Sequence, residues 1–432
     1  MRNFLYRFFS RINNLDNTRI NNLDNISRIL KELSYQTPVS KIFEAINSYS
    51  TKSEIRYVGG CVRKILKNED VDDIDLATNL DPKEICEALK RYEINYHEIG
   101  IEHGTITALI DKHKFEITSL REDVSTDGRH AKVKFSNDWK KDALRRDFTI
   151  NSIYSDKDGN LFDPFNGIED LKNGEVNFIG DPEKRIKEDY LRILRYLRFF
   201  LIYSKKKHKD EIKSFIKKNL VGISKLSKER LLDELKKILK TEILLNLSKD
   251  RFSLEIINII FPELKYFNIF SKLNSHTTKI LKEIDFILVI SLLIIDETDN
   301  SDYFLYKFNV SKKNQKRIKN INEFFRENSP LKNFNEKILN KVLYYKGKET
   351  VLDILIFRIF KTKKIDRSLI NLFDLFKNKE APIMPIKADN LISNYNISEG
   401  KFLGDKLKVI EEAWVNNNFK ISDKQVENII KN

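Results

Sequence analysis

The chain has 432 residues, 41% of them hydrophobic, so it can bury a sizeable core and is expected to form two to four domains. Lys and Arg number 78 against 64 Asp and Glu; this charge of +14 favours a polyanionic partner, although compositional bias alone can produce it. Cys61 and Cys86 are the only cysteines, which excludes a disulfide framework and favours a reducing, cytoplasmic location. The start of the chain lacks signal-peptide features, and the apolar run 286–295 is too short to cross a membrane. We therefore expect no membrane partner.

The pattern of the chain changes near residue 180. Residues 1–35 are polar, repeat Asn-Asn-Leu-Asp-Asn at 13–17 and 21–25, and are predicted to form a weakly ordered arm. The segment 36–180 has a mixed α/β pattern, and beyond it the pattern is helical almost to the end, with further boundaries near 250 and 380. In the mixed segment we predict strands at 55–58, 74–77, 105–110 and 114–118, and helices at 60–66 and 82–90.

Two acids follow a glycine turn in the first part of this head. Asp73 and Asp75 alternate with Ile74 and Leu76, as on a strand, so both carboxylates are expected on one face. Upstream, Gly59-Gly60 stands between a predicted strand and helix, where backbone N–H groups bind anions, and Arg63 can add a contact to a phosphate. The combination predicts a site for a divalent metal and a nucleoside triphosphate. A solvated acidic turn beside a tight loop is the alternative.

Two further features lie near the predicted strands. Glu116 stands on a predicted strand and either completes a carboxylate triad or occupies a solvent face. The segment 145–151 offers Arg145, Arg146, Asp147 and Asn151 for phosphate and ribose contacts, with the last two four residues apart, on one face if the segment is helical. A surface ion-pair cluster would have the same composition.

The first predicted helix after residue 180 carries a polar stripe with Asp189, Arg192, Arg195 and Arg198. Ion pairing along the helix explains the stripe. Base reading explains it too, because cytosine and adenine present an amino donor beside a ring-nitrogen acceptor, which a carboxylate and an arginine complement. Asp189 with Arg192 would then accept C and A and reject G and U. Residues spaced three apart rotate progressively around the helix axis, so Arg195 and Arg198 do not face the same base edge as Asp189. They are expected to serve phosphate, stacking or structure.

These motifs stand in the order seen in one enzyme family. Gly59-Gly60-Cys61-Val62-Arg63, Asp73–Thr78, Arg145–Asn151 and Glu188-Asp189-x-x-Arg192 together resemble the class II tRNA nucleotidyltransferases, which include CCA-adding enzymes and bacterial poly(A) polymerases. The resemblance runs from about 55 to 235, and only fragments match beyond 250. It implies a polymerase-β-like α/β nucleotidyltransferase head at 36–180, followed by all-α neck (181–250), body (251–380) and tail (381–432) domains.

The resemblance also implies roles for individual residues. Asp73 and Asp75 would be the catalytic ligands of Mg²⁺, and Gly59, Gly60 and Arg63 would bind the triphosphate. The remaining nucleotide-binding positions would be Arg145, Arg146, Asp147, Asn151, Asp189, Arg192, Arg195 and Arg198. A flexible loop of the CCA-adding type would include Arg121, Asp127, Gly128 and Arg129.

The expected reaction is the template-independent addition of C, C and A to tRNA 3′ ends from CTP and ATP, releasing pyrophosphate. Poly(A) synthesis or A-only addition is the alternative within the family, and a catalytically silent RNA-binding relative is a further one. One position departs from the family pattern: Lys64 stands where an Asp usually follows the Arg of the glycine segment, which puts a structural contact in doubt.

Overall fold

The computed structural model describes residues 23–126, 131–328, 334–362 and 366–431. The chain divides into two compact units, Met1–Ile238 and Leu239–Asn432. The first contains a mixed sheet with helices and the second is helical in its described residues, which confirms the predicted fold class. The finer division near 180, 250 and 380 stays a prediction.

The first unit opens with two helices, α1 (Leu23–Gln36) and α2 (Val39–Asn47). The prediction of a weakly ordered arm is wrong for residues 23–35, while residues 1–22 lie outside the described residues. Helix α1 buries Ile26, Ile29, Leu30 and Leu33, a spacing that places all four on one helical face. Because most residues of this segment are polar, its overall composition did not indicate this apolar face.

A seven-stranded mixed sheet forms the centre of the first unit, in the order β3-β4-β5-β2-β1-β8-β9. Strand β2 pairs antiparallel with β1 and parallel with β5. The strands are β1 (Ile55–Val58), β2 (Asp75–Thr78), β3 (Asn95–Gly100), β4 (Thr105–Ile110), β5 (His113–Ser119), β8 (Tyr154–Ser155) and β9 (Leu161–Phe162). A separate hairpin contains β6 (Arg121–Thr126) and β7 (Ala131–Phe135).

Helices α3 (Gly60–Leu66) and α4 (Pro82–Arg91) join the first strands and pack with α1 and α2 against the sheet. Asp81 caps α4 by accepting hydrogen bonds from the backbone N–H groups of Lys83 and Glu84, with Pro82 in the first turn, as its sequence predicts. One apolar core contains residues from all four helices and the central strands. This core fixes the positions of β1, α3 and β2 relative to one another. The glycine turn lies between β1 and α3, and the acidic pair lies at the start of β2.

The rest of the first unit is helical. Its helices are α5 (Trp139–Leu144), α6 (Gly167–Asn173), α7 (Pro182–Glu188), α8 (Leu191–Tyr203), α9 (Asp210–Asn219) and α10 (Lys228–Ile238). Short 3₁₀ segments cover Ile101–His103, Thr149–Asn151 and Leu220–Lys225. Helices α8 and α10 pack against each other.

The second unit is a set of helices around its own apolar residues. They are α11 (Thr241–Leu247), α12 (Arg251–Ile260), α13 (Ser275–Glu283), α14 (Phe286–Ile294), α15 (Asn300–Lys307), α16 (Lys312–Glu327), α17 (Glu336–Lys361), α18 (Arg367–Asn378), α19 (Ala388–Tyr395), α20 (Lys401–Asn416) and α21 (Asp423–Lys431), with a 3₁₀ turn at Phe267–Phe270. The apolar run 286–295 is the buried helix α14. Within the described ranges, no helix is long and apolar enough to cross a membrane.

Candidate active site

An acidic cluster lies where β2 begins. Asp75 is the first residue of β2 and stands opposite Glu116 of β5 in the parallel register, so their side chains share one face of the sheet. Asp73 is exposed and precedes the strand, instead of lying on it as its spacing predicted. Burial, Asp73 and Glu116 raise the pKa of Asp75 to about 6. The three acids therefore repel one another's negative charge, which a bound cation would neutralise.

The glycine turn lies against this cluster. Gly59 has φ +66° at the start of α3, a conformation that favours glycine. A Cβ atom at Gly60 would lie 3.8 Å from the Asp75 Oδ2, and one at Gly59 would lie 3.4 Å from the Asn151 carbonyl oxygen. The turn thus passes between Asp75 and the segment 145–151.

Arg63, expected at the triphosphate, is 7% exposed and lies within a network of side chains. It donates to the Asn151 Oδ1 and, over 3.1 Å, to the Tyr203 hydroxyl. Its guanidinium also stacks over Phe199, 4.8 Å from the ring centroid. Arg63 therefore links α3 to the segment 145–151 and to α8.

Asp147 and Asn151 contact each other, as their spacing suggested, but Asn151 lies in a 3₁₀ segment and not in an α-helix. The Asn151 amide donates to Asp147 Oδ1 over 2.8 Å, and the Arg195 Nε donates to Asp147 Oδ2 over 2.6 Å. Burial opposes the charge on Asp147, yet Arg195 and Asn151 hold its pKa down at about 2. A chain of contacts thus runs from Arg63 through Asn151 and Asp147 to Arg195 of α8.

Asp142, which sequence reasoning missed, anchors the arginine pair. Its carboxylate is 1% exposed, pairs with Arg145 at 2.7 Å and Arg146 at 3.1 Å, and accepts a hydrogen bond from the Tyr154 hydroxyl at 2.7 Å. Burial opposes its ionisation, but the two arginines and Tyr154 lower its pKa to about 2. The signal available in the sequence was its position three and four residues before the two arginines, on one face of α5.

The expected base-reading pair is not joined in the structure. Helix α7 ends at Glu188, and Asp189 is extended, at φ −151°, before α8 begins at Leu191. The expectation that Asp189 shares one continuous helix with Arg192 is therefore wrong. Asp189 pairs with Arg230 of α10 at 2.7 Å.

Arg192 has other partners. It donates to Glu188 Oε2 over 2.7 Å and to the Arg185 carbonyl oxygen over 2.8 Å. Arg185 in turn donates to the carbonyl oxygens of Arg145 and Arg146. Helix α7 therefore connects the arginine pair to the start of α8.

A second link joins α8 to α10. Arg198 pairs with Glu234, which is 2% exposed, at 2.5 Å, and its guanidinium lies 4.1 Å from the Phe199 ring centroid. Arg195 also lies near that ring, at 5.5 Å. Both arginines thus pair with buried acids and stack on one aromatic side chain, and the contact with nucleotide expected for them stays a prediction.

The expected flexible loop is described only at its ends. Arg121 begins β6, and its backbone N–H donates to Asp142 Oδ1 over 3.4 Å. Asp127, Gly128 and Arg129 lie outside the described residues.

Comparisons with known proteins give the family. Residues 55–177 match the family model of the poly A polymerase head domain. The human mitochondrial CCA tRNA nucleotidyltransferase 1 is 49% identical over 189 residues, 43% of this chain and 44% of that protein. The CCA-adding enzyme of Staphylococcus haemolyticus is 32% identical over 305 residues, 70% of this chain and 72% of that enzyme.

The chain belongs to the CCA-adding enzyme family. The solved structure of the Bacillus stearothermophilus CCA-adding enzyme in complex with CTP shares the fold, with a TM-score of 0.66 at 21% identity, covering 89% of this chain and 93% of that one. The matched region spans less than half the length of the human relative.

Lys64, the departure from the pattern of CCA-adding enzymes, has an acidic partner. Its Nζ lies 2.9 Å from the Asp72 Oδ2, and its carbonyl accepts a hydrogen bond from the backbone N–H of Glu69. Both contacts tie α3 to the segment that carries Asp73. The positive charge of Lys64, which replaces the negative charge of the usual Asp, is thus paired with an acid on the neighbouring segment.

The donor set of this CCA-adding enzyme relative fits a hard divalent cation. Carboxylate oxygens are the ligands that Mg²⁺ prefers, and Asp75 is surrounded by negative charge. Among the described residues, no three His, Cys, Asp or Glu side chains are grouped closely enough to hold a metal as they stand. Asp75 and Glu116 are paired in register, and Asp73 precedes Asp75 by two residues.

Proposed function

We propose that the chain adds C, C and A to tRNA 3′ ends from CTP and ATP. The observation that carries the proposal is the juxtaposition of Asp75 and Glu116 with the Gly59-Gly60 turn in a member of the CCA-adding enzyme family. Related CCA-adding enzymes have been solved in complex with ATP and with CTP, which agrees with these two substrates.

In this proposal Asp73 and Asp75 hold Mg²⁺, and Glu116 supports them electrostatically. The metal supplies charge neutralisation for the transferred phosphoryl group and for the hydroxyl that attacks it. Gly60 lacks a side chain that would fill the space beside Asp75, so a triphosphate can approach the acids. Asp142 holds Arg145 and Arg146 in place beside this space, where both can contact phosphate or ribose oxygens.

Arg63, Asp147, Asn151 and Arg195 bind nucleotide in this proposal through the network that they form. They connect α3, which follows the glycine turn, to α8. A residue that binds the triphosphate is thus connected by hydrogen bonds to the helix that positions the base. Because Arg195 and Arg198 pair with buried acids, we assign both a supporting role for the base site.

We propose further that Asp189 and Arg192 read the base after exchanging partners. Asp189 must leave Arg230 to accept a hydrogen bond from the amino group of C or A. Arg192 must turn from Glu188 to donate to the ring nitrogen. The present partners, Arg230 on α10 and Glu188 on α7, would have to be released in this exchange.

The experiment that tests this function is extension of a tRNA transcript ending at its discriminator base, with Mg²⁺ and CTP, ATP or both. Addition of two C residues with CTP alone, and of a single A after them with both nucleotides, supports the proposal. A long A tail would favour poly(A) synthesis, A added only to a tRNA that already ends in CC would favour an A-adding enzyme, and no extension would favour an RNA-binding relative.

The domain arrangement and location also remain proposals. We propose a head at 36–180, a neck at 181–250, a body at 251–380 and a tail at 381–432, with tRNA held by the helical part. A cytoplasmic location is proposed from the two unpaired cysteines.

A further inference from the structure

The second unit contains a cavity of about 630 Å³. It lies between the segment 266–277, the end of α17 and the start of α18, and part of its wall is apolar, including Ile269, Phe360 and Leu369. This volume and mixed lining are typical of sites for small molecules. All its lining residues belong to the second unit, so it is separate from the acidic cluster.

A half-buried amine lines this cavity. The Lys361 Nζ lies 3.2 Å from the ring centroid of Tyr266 and 5.4 Å from that of Phe357. Burial lowers the pKa of Lys361 to about 8, although the charges of Asp296 and Glu297 oppose that shift. In the part of the chain that the structure describes, neither carboxylate lies within 4 Å of this nitrogen, so the aromatic faces are its direct partners. A partly desolvated cation without an anion in direct contact costs free energy, which a bound anion would recover.

Two further polar groups of the wall favour an anion. The Nε2 atom of His276 is buried and has no hydrogen-bond partner among the described residues. Lys272 adds a second cation to the lining. The one acidic side chain of the lining, Asp366, already accepts hydrogen bonds from the backbone N–H groups of Ser368 and Leu369 at the start of α18.

We propose that this cavity binds a small molecule with a flat apolar body and one anionic group, with Lys361 pairing with the anion and His276 hydrogen bonding to the ligand. A carboxylate, sulfonate or phosphate has the required chemistry. The apolar wall favours such a molecule over an RNA backbone, which offers charge without apolar surface. The proposal is independent of CCA addition, because no residue of the acidic cluster takes part.

The test compares two probes that differ by one anionic group, 1-anilinonaphthalene-8-sulfonate and 1-anilinonaphthalene, which lacks the sulfonate. Their affinities for the full chain are measured by fluorescence titration at pH 7, where Lys361 is mainly protonated. We expect the sulfonate to bind about tenfold more tightly than the neutral probe, the size of one charge-assisted contact. In Lys361→Met the preference should vanish while the neutral probe still binds, and Lys361→Arg should retain it.

Lys282→Met is the matched control, since Lys282 is exposed on α13, outside the cavity lining. It should bind both probes like the wild type. Equal affinities of the two probes for the wild type, or an unchanged preference in Lys361→Met, would overturn the proposal. A variant that loses affinity for tRNA but not for the sulfonate would assign Lys361 to RNA and overturn it as well. If Lys361→Met does not fold, the wild type and Lys361→Arg still decide the question.

Discussion

At the scale of single residues, the acidic side chains of the site differ in their burial and in the charge of their neighbours. Asp73 is exposed, Asp75 lies against the glycine turn, and Asp142 and Asp147 are enclosed with arginines. Burial with like charges raises the pKa of Asp75, whereas the arginines lower those of Asp142 and Asp147 despite burial. Among the described residues, Asp73 and Asp75 form no ion pair within 4 Å, and these are the carboxylates that we propose for the metal.

Replacing both Asp73 and Asp75 by Ala should abolish nucleotide incorporation, by at least roughly a thousandfold, because the metal loses its carboxylate ligands. Binding of tRNA should stay within about twofold of wild type, measured by filter binding beside the extension assay. Asp70→Asn, which removes an exposed acid of the same segment, is the control and should remain active. Incorporation that persists in the double variant would refute the assigned metal ligands.

Arg192→Ala should blur the choice of C and A over G and U, since the ring-nitrogen donor is lost. We expect misincorporation of UMP or GMP to rise about tenfold relative to CMP, measured as the ratio of kcat/KM values. Lys187→Ala, an exposed position on the neighbouring helix α7, should leave that ratio unchanged. A slower enzyme with the wild-type ratio would show that Arg192 does not read the base.

Asp142→Asn should lower the free energy of unfolding of the first unit by roughly 3 kcal/mol at pH 7, because two partly buried arginines lose a fully buried counter-charge. The low folded pKa of Asp142, about 2, stabilises the protein above pH 4, and this stabilisation is lost as the pH falls from 4 towards 2. The difference between variant and wild type should therefore shrink over that range.

Urea titrations followed by Trp139 fluorescence can measure this difference. Trp139 packs edge-on against Tyr154, with ring centroids 5.5 Å apart, and Tyr154 donates to Asp142. A Trp414→Phe background removes the other tryptophan of the chain. Asp138→Asn, at an exposed acid that caps the start of α5, is a comparison expected to change the free energy of unfolding by less than about 0.5 kcal/mol, because Asn caps a helix about as well as Asp. A difference for Asp142→Asn that did not change with pH would contradict the ion-pair explanation.

At the scale of elements, α8 is the member that connects the site. It contacts the segment 145–151 through Arg195, and it pairs with α10 through Arg198 and Glu234. Asp189, at its start, pairs with α10 as well. The position of α10 therefore influences how Asp189, which we propose to read the base, is held, although α10 itself carries no residue that we assign to nucleotide.

Glu234→Gln tests that connection. The change leaves Arg198 buried without a carboxylate, and we expect the free energy of unfolding to fall by roughly 3 kcal/mol. Glu229→Gln, exposed on the same helix, should change it by less than about 0.5 kcal/mol. Trp139 fluorescence in urea serves again, and equal stabilities of the two variants would contradict the buried pair.

At the scale of the whole molecule, two compact units carry an excess of positive charge. A formal charge of +14 is expected to act on tRNA through its phosphates, without regard to sequence. The affinity for tRNA should fall at least about tenfold between 50 and 200 mM salt, as Lys and Arg contacts release counterions. The ratio of C to U incorporation should not change over the same range, because hydrogen bonds to the base edge set it. A salt-independent Kd would argue against electrostatic binding.

The sequence by itself determined the local elements and the order of the motifs. Strands 55–58 and 105–110 and helix 60–66 lie where the patterns predicted them, because alternating burial and a glycine turn are local signals. It also placed Asp73, Asp75 and the arginine pair in one family pattern. Only the tertiary structure decided the distant partners: Asp147 with Arg195, Asp189 with Arg230, and Arg198 with Glu234. Ion pairs between residues tens of positions apart depend on how helices pack, and a one-dimensional pattern does not record which charges that packing leaves facing each other.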